Sequence, residues 1–369
     1  MTGPSQTLFA PRGQPQSRVE SLPFISVIVP VRNEAAFIGR TLDQLLGQNY
    51  DADRFEVIVA DGRSADDTRE IVRGFQRRYA NLLLLDNPKR WSSAGRNAAV
   101  RAARGEIIAL VDGHCELGGP NYLWNLADAF ARSGADCIGR PQPLDVAAAT
   151  PLQRAIAAAR ASSLGHHPGS HIYSTEEQFV PPHSVAIAYR RSVFERVGLF
   201  DEEFDACEDV EFNHRVHRAG CRCFFTPAVR VRYHPRTTLL GVFRQMVRYG
   251  RGRVRLFSKH PETFSVVCFL PAMFLLGLVV GSVAAWLSAW LALAYGSVIG
   301  LYAATVLGVS VALSLKARDV HLLPRLPLVF ATIHFGAGAG VLLEALAGAS
   351  RKPAFWRKQP VTASLRRAA

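Results

Sequence analysis

The chain has 369 residues and a formal net charge of +13, but its basic side chains are unevenly distributed. Residues 230–260 hold eight Arg and one Lys without an acid, and residues 351–369 hold six basic residues without an acid. The first 229 residues, by contrast, hold 25 basic and 27 acidic side chains. A nucleic-acid-binding protein carries its basic surface on the folded domain. The distribution therefore argues against nucleic acid as a partner and assigns the excess charge to two flanking segments.

A long uncharged stretch follows the first basic segment. Residues 264–315 form a run of 52 residues without Asp, Glu, Lys, Arg or His. One membrane helix needs about 20 apolar residues, so two spans fit, at residues 264–287 and 291–315. A soluble protein is therefore excluded.

Composition divides the chain into five parts. Residues 1–22 are rich in Gly, Pro, Gln and Ser without an apolar signal region, which predicts a disordered tail. The length before the membrane suffices for one large α/β domain or two small ones, and we assign residues 23–236 to one α/β domain. Residues 237–262 predict a basic amphipathic segment at a membrane surface. Residues 263–350 contain the predicted membrane helices, and residues 351–369 form a basic tail.

The α/β domain begins with β-branched apolar runs that alternate with amphipathic stretches. The runs predict strands at residues 25–30, 55–60, 81–85 and 106–111. The stretches predict helices at residues 34–47, 66–79 and 93–104. This alternation predicts parallel crossover units, in which ligands bind beyond the carboxyl ends of the strands. We therefore expect three polar clusters to meet at one edge of the sheet, unless they are ordinary loop residues: residues 30–34, 61–64 and 112–114.

Six motifs resemble those of the family-2 inverting glycosyltransferases, whose nucleotide-sugar-binding fold is called GT-A. They are Ser26-Val-Ile-Val-Pro-Val-Arg-Asn-Glu34, Val59-Ala-Asp-Gly-Arg-Ser64 with Asp67-Thr68, Gly95-Arg96-Asn97, Leu110-Val-Asp-Gly-His114, Phe200-Asp-Glu to Glu208-Asp209-Val-Glu-Phe212, and Gln245-Met-Val-Arg248-Tyr249. Their order and spacing carry the resemblance, and the membrane helices that follow are similar to those of bacterial exopolysaccharide enzymes, including succinoglycan-type glucosyltransferases. The resemblance implies an α/β fold with a Rossmann-like mixed sheet and a C-terminal helical membrane domain.

The resemblance also implies where a UDP-sugar donor binds. The loop from Pro30 to Glu34 would wrap the base and ribose, and Asp61 would accept a hydrogen bond from the uracil N3–H. Arg96 would lie near the diphosphate or the uracil, and Asp112 near the ribose. Asp61 precedes Gly62 in a common turn pair, so capping of that turn is the alternative role.

A divalent cation, Mn²⁺ or Mg²⁺, is the implied cofactor, because it neutralises the departing diphosphate. Asp112 matches the first carboxylate of the family's Asp-x-Asp motif, but His114 stands where the second is usual. An imidazole ligand favours a borderline metal such as Mn²⁺ over Mg²⁺. His234 follows a strand-like run at residues 224–233 and matches a C-terminal metal-binding His. A solvated loop role for His114 and a structural role for His234 stay open.

The resemblance assigns the catalytic base to Asp209. Inverting transfer is a single in-line displacement, so one carboxylate must deprotonate the acceptor hydroxyl as it attacks. The spacing of Phe212 and Val216 places Asp209 in the first turn of an amphipathic helix, where an acid is also a favourable capping residue. Glu208 is assigned to the acceptor and diphosphate region. Glu208 and Glu211 are expected to support the site or to lie at the surface.

Gln245, Arg248 and Tyr249 resemble the Gln-x-x-Arg-Trp motif of processive polysaccharide synthases, which borders the acceptor site and the diphosphate. Tyr in place of Trp keeps an aromatic platform but weakens the case for processive synthesis. The alternative is an interfacial helix whose arginines meet anionic headgroups. Both roles can hold together, because a lipid-linked acceptor is collected at that surface.

The basic segment before the spans predicts a cytoplasmic catalytic domain on a multi-pass protein of the bacterial inner membrane. A third apolar segment, residues 326–348, contains His334, Glu344 and a Gly-rich run at residues 336–340. If it crosses fully, the basic tail lies outside, against the positive-inside rule. A re-entrant hairpin broken at the glycines, or an extra crossing, would keep the tail inside.

The sequence thus predicts a membrane-bound, metal-dependent inverting glycosyltransferase. By resemblance, it moves a hexose, glucose from UDP-glucose, to a hydroxyl of a polyprenyl-diphosphate-linked oligosaccharide. Membrane lipids and other polysaccharide-assembly proteins are the further implied partners. The rival functions are a processive synthase, a polyprenyl-phosphate hexose synthase and a non-catalytic membrane scaffold.

Overall fold

The computed structural model describes residues 22–166 and 171–350. The tails expected at residues 1–22 and 351–369 lie outside the described residues, apart from residue 22. The described chain begins with a mixed α/β sheet and its covering helices. It ends with four long helices.

Ten strands form two sheets. They are β1 (Ile25–Val31), β2 (Phe55–Asp61), β3 (Leu82–Asp86), β4 (Ile107–Leu110), β5 (Cys115–Leu117), β6 (Cys137–Gly139), β7 (Gln178–Val180), β8 (Ala186–Arg190), β9 (Cys223–Phe225) and β10 (Val231–Tyr233). The main sheet has the order β3-β2-β1-β4-β8-β6-β9-β7, and β5 pairs with β10 in a separate ribbon. Strands β3, β2, β1 and β4 are parallel, whereas β8 runs antiparallel to β4 and β6. The carboxyl ends of the four parallel strands therefore share one edge.

The predicted crossover units are confirmed, because a helix follows each of the first three strands. The helices are α1 (Ile38–Leu46), α2 (Thr68–Gln76), α3 (Ser92–Ala102), α4 (Tyr122–Ser133), α5 (Pro151–Arg160), α6 (Arg191–Val197), α7 (Glu208–Arg218), α8 (Leu239–Lys259), α9 (Val266–Ala284), α10 (Ala289–Ala317) and α11 (Leu326–Ser350). Strands β1 and β2 are mostly apolar and buried along almost their whole length, because both faces of the parallel sheet are covered. Ile38, Leu42 and Leu45 of α1 pack into the resulting core.

One predicted element is wrong. The run at residues 224–233, expected as a single strand, is two strands that belong to different sheets. Pro227 begins a short 3₁₀ turn, with the Thr226 hydroxyl accepting a hydrogen bond from the Ala228 N–H, and this turn separates β9 from β10. Because Pro fixes its own φ and lacks an N–H, a single strand cannot run through it as a paired strand.

Helices α9, α10 and the first 23 residues of α11 are long and apolar enough to cross a membrane, by length and composition alone. Helices α9 and α10 fall within the segments predicted at residues 264–287 and 291–315, except that α10 begins two residues earlier and ends two residues later. A re-entrant hairpin at residues 336–340 is wrong, because α11 is continuous through its glycines.

The glycines of α11 permit close helix packing instead of breaking the helix. A Cβ added to Gly340 would lie 2.2 Å from the Val247 carbonyl oxygen of α8, and one added to Gly336 would lie 2.9 Å from that of Phe243. Gly338 meets the Pro271 carbonyl of α9 in the same way, at 2.5 Å. Small residues spaced four apart let helix backbones approach, as in small-xxx-small pairs.

A buried carboxylate joins α7 to the end of α8. Glu211 is fully buried, which corrects any surface placement, and it accepts hydrogen bonds from Arg215, Lys259 and His260. Burial alone would raise the pKa of Glu211, but the His260 hydrogen bond and the Arg215 charge outweigh it, and its pKa lies well below the usual value.

Filling the helix contact is expected to destabilise the protein. Gly340→Ala places a methyl group against the α8 backbone, and we expect a loss of about 1–3 kcal/mol, as for overpacked cores. The matched control is Gly348→Ala in the same helix, where a Cβ would meet no atom within 4 Å. Thermal unfolding in detergent should show a lower Tm for Gly340→Ala and an unchanged or higher Tm for Gly348→Ala. Equal Tm values would contradict the close packing.

Glu211 is expected to make stability depend on acid. Because its folded-state pKa is depressed, its contribution is complete above the unfolded value of about 4.3 and falls by roughly 1.4 kcal/mol per pH unit below it. Glu211→Gln should therefore lower the free energy of unfolding by about 3–5 kcal/mol at pH 7. Denaturant titrations at pH 7 and pH 3.3 would measure the difference from wild type, with the exposed Glu70→Gln as control. A difference that does not shrink in acid would refute this role.

Candidate active site

The loops after β1 and β2 are tied together at the shared sheet edge. The Asn33 N–H donates to the Ser64 Oγ at 2.9 Å, and the Ala65 N–H donates to the Asn33 Oδ1 at 2.8 Å. The Glu34 N–H donates to the Thr68 Oγ1 at 2.8 Å. The polar clusters expected at residues 30–34 and 61–64 therefore lie together at this edge of the sheet.

Asp61, the last residue of β2, is fully buried and holds its own turn. Its carboxylate accepts hydrogen bonds from the Ser64 hydroxyl at 2.5 Å and from Arg69 at 2.9 Å. The turn-capping role is therefore present in the structure. Contact with a nucleobase stays a prediction.

Arg96 is a buried cation at this edge of the sheet. Its guanidinium lies between two carboxylates, with Nη2 3.6 Å from the Asp112 Oδ1 and Nη1 3.2 Å from the Glu208 Oε1. It also lies over the ring of Phe200 at 5.5 Å. Within the described part of the chain, its buried Nε and Nη1 lack a hydrogen-bond acceptor. Arg96 thus joins the end of β4 to the start of α7 through two ion pairs, and two of its buried nitrogens make no hydrogen bond to the described residues.

The pKa values of the two carboxylates around Arg96 are shifted in opposite directions. Burial pushes the pKa of Asp112 upward, but Arg96, His114 and the Tyr233 hydroxyl together bring it below its usual value. For Glu208 burial prevails, and the neighbouring Asp209 adds to it, so its pKa lies above the usual value despite Arg96. Asp112 is therefore the more firmly ionised of the two.

His114 is oriented by a carboxylate. Its Nδ1 lies 3.0 Å from the Glu34 Oε1, which leaves Nε2 as the nitrogen that can bind a metal. Burial lowers the pKa of His114. The Glu34 hydrogen bond and the Asp112 charge together outweigh burial, so the pKa lies above its usual value. A carboxylate on the second ring nitrogen is a common support for metal-binding histidines.

The β5–β10 ribbon brings His234 to the same region. Antiparallel pairing sets Tyr233 opposite Cys115, next to His114. His234 stacks on Phe37 at 5.4 Å, and the His114 ring meets the edge of Phe37 at 6.5 Å. The His234 Nε2 lies 3.7 Å from Glu116. Asp112, His114 and His234 are thus neighbours.

The candidate ligand atoms of Asp112, His114 and His234 do not all lie within 4.8 Å of one another. Among the described residues, the group of three ligands whose atoms all lie within 4.8 Å of one another is His214, His260 and Glu262. Glu262 there already accepts from Arg218 at 2.9 Å, and His260 contacts Glu211. That group is a charge cluster between α7 and the end of α8.

Asp209 is exposed in the first turn of α7, as predicted. The preceding Cys207 has a left-handed backbone, with φ 61°, and Gly252 of α8 packs against it: a Cβ there would lie 2.7 Å from the Cys207 Sγ. Arg255 pairs with Asp205 at 2.5 Å. Helix α8 therefore holds the turn that carries Asp209.

The remaining predicted residues lie along α8. The Arg248 Nη2 donates to the Asp205 carbonyl at 2.7 Å, so its side chain also supports this turn. The Gln245 amide donates to the Tyr249 hydroxyl at 3.3 Å, and the Arg160 guanidinium lies over the exposed Tyr249 ring at 5.5 Å.

Sequence reasoning missed two residues near Asp112. The Tyr233 hydroxyl donates to the Asp112 Oδ2 at 2.8 Å, and the fully buried Arg140 donates to Tyr122 and to the Leu110 carbonyl. Tyr233 precedes His234 in a segment already selected for metal binding, which is a signal that could have found it. Arg140 carries no comparable signal.

Comparisons with known proteins agree with this geometry. The sequence profile of Glycosyl transferase family 2 matches residues 26–198, and that of Glycosyl transferase family group 2 matches residues 118–315. The succinoglycan biosynthesis protein ExoA of Rhizobium meliloti is 30% identical over 297 residues, which are 80% of this chain and 87% of that protein.

Two further similarities are more distant. A dolichyl N-acetyl-alpha-D-glucosaminyl phosphate 3-beta-D-2,3-diacetamido-2,3-dideoxy-beta-D-glucuronosyltransferase of Methanococcus voltae is 24% identical, over 68% of this chain and 79% of that protein. The mannosyltransferase PcManGT of Pyrobaculum calidifontis, solved with GDP-Man and Mn²⁺, superposes with a TM-score of 0.57 at 19% identity, over 89% of this chain and 88% of that chain.

The structural likeness confirms the predicted GT-A fold, a mixed α/β sheet followed by C-terminal helices. One profile matches over half of the chain, and a 30% identical relative matches most of both chains. The chain therefore belongs to glycosyltransferase family 2 and is a glycosyltransferase.

Proposed function

We propose that this glycosyltransferase moves a hexose from a UDP-sugar to a lipid-linked acceptor at the cytoplasmic face of the bacterial inner membrane. The transfer would invert the configuration at the anomeric carbon. The donor would be UDP-glucose, and the product a β-linkage on a polyprenyl-diphosphate-linked oligosaccharide. The observation that carries the proposal is the environment of the Arg96 guanidinium. Its buried N–H groups without acceptors stand between Asp112 and Glu208, beside the exposed Asp209.

Arg96 would bind the diphosphate of the donor. A buried cation with unsatisfied donors gains charge-assisted hydrogen bonds when a phosphate supplies the missing acceptors. The leaving diphosphate carries more negative charge as the bond to the anomeric carbon lengthens, so the same contacts strengthen in the transition state. Asp61 and the loop from Pro30 to Glu34 would hold the base and the ribose.

Asp209 would take the proton of the acceptor hydroxyl. As that oxygen forms its bond to the anomeric carbon, the bond from this carbon to the diphosphate oxygen breaks, and the electron pair leaves with the diphosphate. The hydroxyl proton goes to the Asp209 carboxylate, which is exposed and free to meet an acceptor. The exposed Tyr249 and the half-buried Gln245, on α8 near this turn, would line the acceptor side.

The residues fit a divalent cation. Asp112 is kept ionised, and the His114 Nε2 is presented by Glu34, so a carboxylate oxygen and an imidazole nitrogen are available beside His234. This mixed oxygen and nitrogen set suits Mn²⁺ better than Mg²⁺. When bound, the cation would neutralise charge on the diphosphate.

The acceptor class rests on relatives and on the membrane helices. ExoA is named for succinoglycan biosynthesis, and the Methanococcus voltae enzyme is named for a dolichyl phosphate-linked sugar. Three helices of this chain are long and apolar enough to cross a membrane. A lipid-linked acceptor would reach Asp209 along α8, which contacts both the active-site turn and α11.

Removing the base is expected to separate binding from transfer. Asp209→Asn keeps the size of the side chain but cannot accept the proton, so we expect turnover to fall at least 10²-fold while UDP affinity is retained. Radiolabel transfer and UDP titration calorimetry in lipid nanodiscs would measure the two effects. The exposed Asp53→Asn is the control. Near-normal turnover of Asp209→Asn would exclude this role. A wild-type protein without transfer activity would instead favour a non-catalytic scaffold.

Metal dependence is expected to involve His114. Chelation with EDTA should abolish transfer, and Mn²⁺ should restore it better than Mg²⁺. His114→Ala should raise the Mn²⁺ concentration for half-maximal activity about 10- to 100-fold, by analogy with lost metal ligands and their supports. His321→Ala, in the loop before α11, is the matched control. An unchanged Mn²⁺ requirement in His114→Ala would show that His114 is not a ligand.

The same assays distinguish the rival enzymes. Products of purified protein, tested with a panel of nucleotide sugars and acceptors, would show a single added hexose on an oligosaccharide for the proposed function. A polymer would indicate a processive synthase. Transfer to the lipid phosphate itself would indicate a polyprenyl-phosphate hexose synthase.

A further inference from the structure

Helix α11 differs from the other two apolar helices in how much of it the protein covers. In the most apolar windows of α9, α10 and α11, 6%, 17% and 44% of the residues are buried. Helices that cross a membrane alone expose most of their residues to lipid. What covers α11 therefore determines how it is placed.

The α/β domain contacts α11 near its beginning. Phe330 and Ile333 share an apolar cluster with Ile156 of α5, and the His334 ring lies 3.0 Å from the Leu164 carbonyl oxygen. Both Ile156 and Leu164 lie in the chain between β6 and β7, which are two strands of the main sheet.

The α/β domain is also connected to α11 near its end. Glu344 is buried and accepts from Arg251 at 2.8 Å and from Arg255 at 2.7 Å. Arg255 in turn pairs with Asp205, in the turn before Asp209. Phe330 and Glu344 are about 21 Å apart along the helix. If α11 crossed the bilayer perpendicularly, only one of its ends could contact a domain that lies on one side of the membrane.

Helix α8 runs parallel to α11 along this length. Three contacts lie at matching steps of four residues: Phe243 meets Gly336, Val247 meets Gly340, and Arg251 meets Glu344. Helix α8 also carries Arg244, Arg248, Arg253 and Lys259. Each such charge costs about 2.5–3.5 kcal/mol at the bilayer centre, even on the most permissive scale. Because α8 cannot enter the hydrocarbon core, α11 beside it cannot cross that core either.

The hairpin of α9 and α10 contacts α11 along part of its length. Phe274 stacks on Tyr302 across the hairpin, and at this level α11 contacts both, with Phe335 6.4 Å from Phe274 and His334 3.0 Å from the Tyr302 hydroxyl. Beyond this level the hairpin continues to its tip, where Trp286 and Trp290 are 92% and 81% exposed.

The return from the hairpin lies on the side of the α/β domain. Asp319, just after α10, pairs with Arg154 of α5 at 3.1 Å. Helix α11 therefore begins on the same side of the hairpin as the sheet.

We infer that α11 does not cross the membrane but lies with α8 in the headgroup layer on the side of the α/β domain. The chain then crosses twice, through α9 and α10. Leu328 and Leu343, which are 59% and 54% exposed, lie on one stripe of α11 and face the bilayer. The end of α11 then lies on the same side of the membrane as the basic residues of α8, which the positive-inside rule places in the cytoplasm.

Cysteine labelling of the full chain in membranes tests the number of crossings. His321→Cys precedes α11, Ala369→Cys follows it, and Ser288→Cys marks the hairpin tip; the unsubstituted protein measures the background of its native cysteines. With a membrane-impermeant maleimide, we expect the first two to react in inverted vesicles and Ser288→Cys to react in intact cells. Reaction of His321→Cys and Ala369→Cys from opposite sides would overturn the inference.

Depth measurement tests contact with the headgroup layer. Fluorophores on Leu328→Cys and Leu343→Cys, about 22 Å apart along the helix, should be quenched equally by lipids spin-labelled near the headgroup. Unequal depths would indicate a crossing helix, and no quenching would indicate a helix outside the bilayer; either result overturns the inference. Neither measurement depends on transferase activity, so a failure here leaves the proposed function to be judged by its own assays.

Discussion

A buried positive charge organises this molecule. Taking the Arg96 guanidinium out of water is costly unless anionic partners surround it. Its partners come from the end of β4, through Asp112, and from the start of α7, through Glu208. The sheet edge and the beginning of α7 must therefore converge on one point. The pairing remains incomplete, and that incompleteness leaves hydrogen-bond donors where an anionic ligand is expected.

The parts of the fold that depend on local pattern could be predicted from the sequence. Buried parallel strands are continuous apolar runs, and each crossover helix follows its strand within a short stretch, so β1 to β4 were placed to within two residues at either end. The turn at Pro227 and the pairing of β10 with β5 could not be predicted in this way. That pairing joins segments more than 100 residues apart, and no local periodicity encodes it.

The candidate site shows the same division. Motifs gave the residue types at positions 112, 114 and 209, but not their partners. The support of His114 by Glu34 and of Asp112 by Tyr233 depends on tertiary contacts across 80 and 121 residues. The glycines in α11 allow a break as one of the alternatives for this segment, because Gly is unfavourable inside a helix. Close packing against α8 outweighs that preference and makes the glycines necessary.

The left-handed backbone of Cys207 gives the helix pair α8 and α11 a mechanical role. A non-glycine residue in this conformation is held there by its surroundings, and Gly252 packs directly on it without an intervening side chain. The opposite side of α8 is in equally close contact with α11 through Gly250. Gly250 meets the α11 backbone, and Gly252 meets the Cys207 side chain and the Ala206 carbonyl. A tilt of the two helices relative to the sheet would thus displace the turn that carries Asp209.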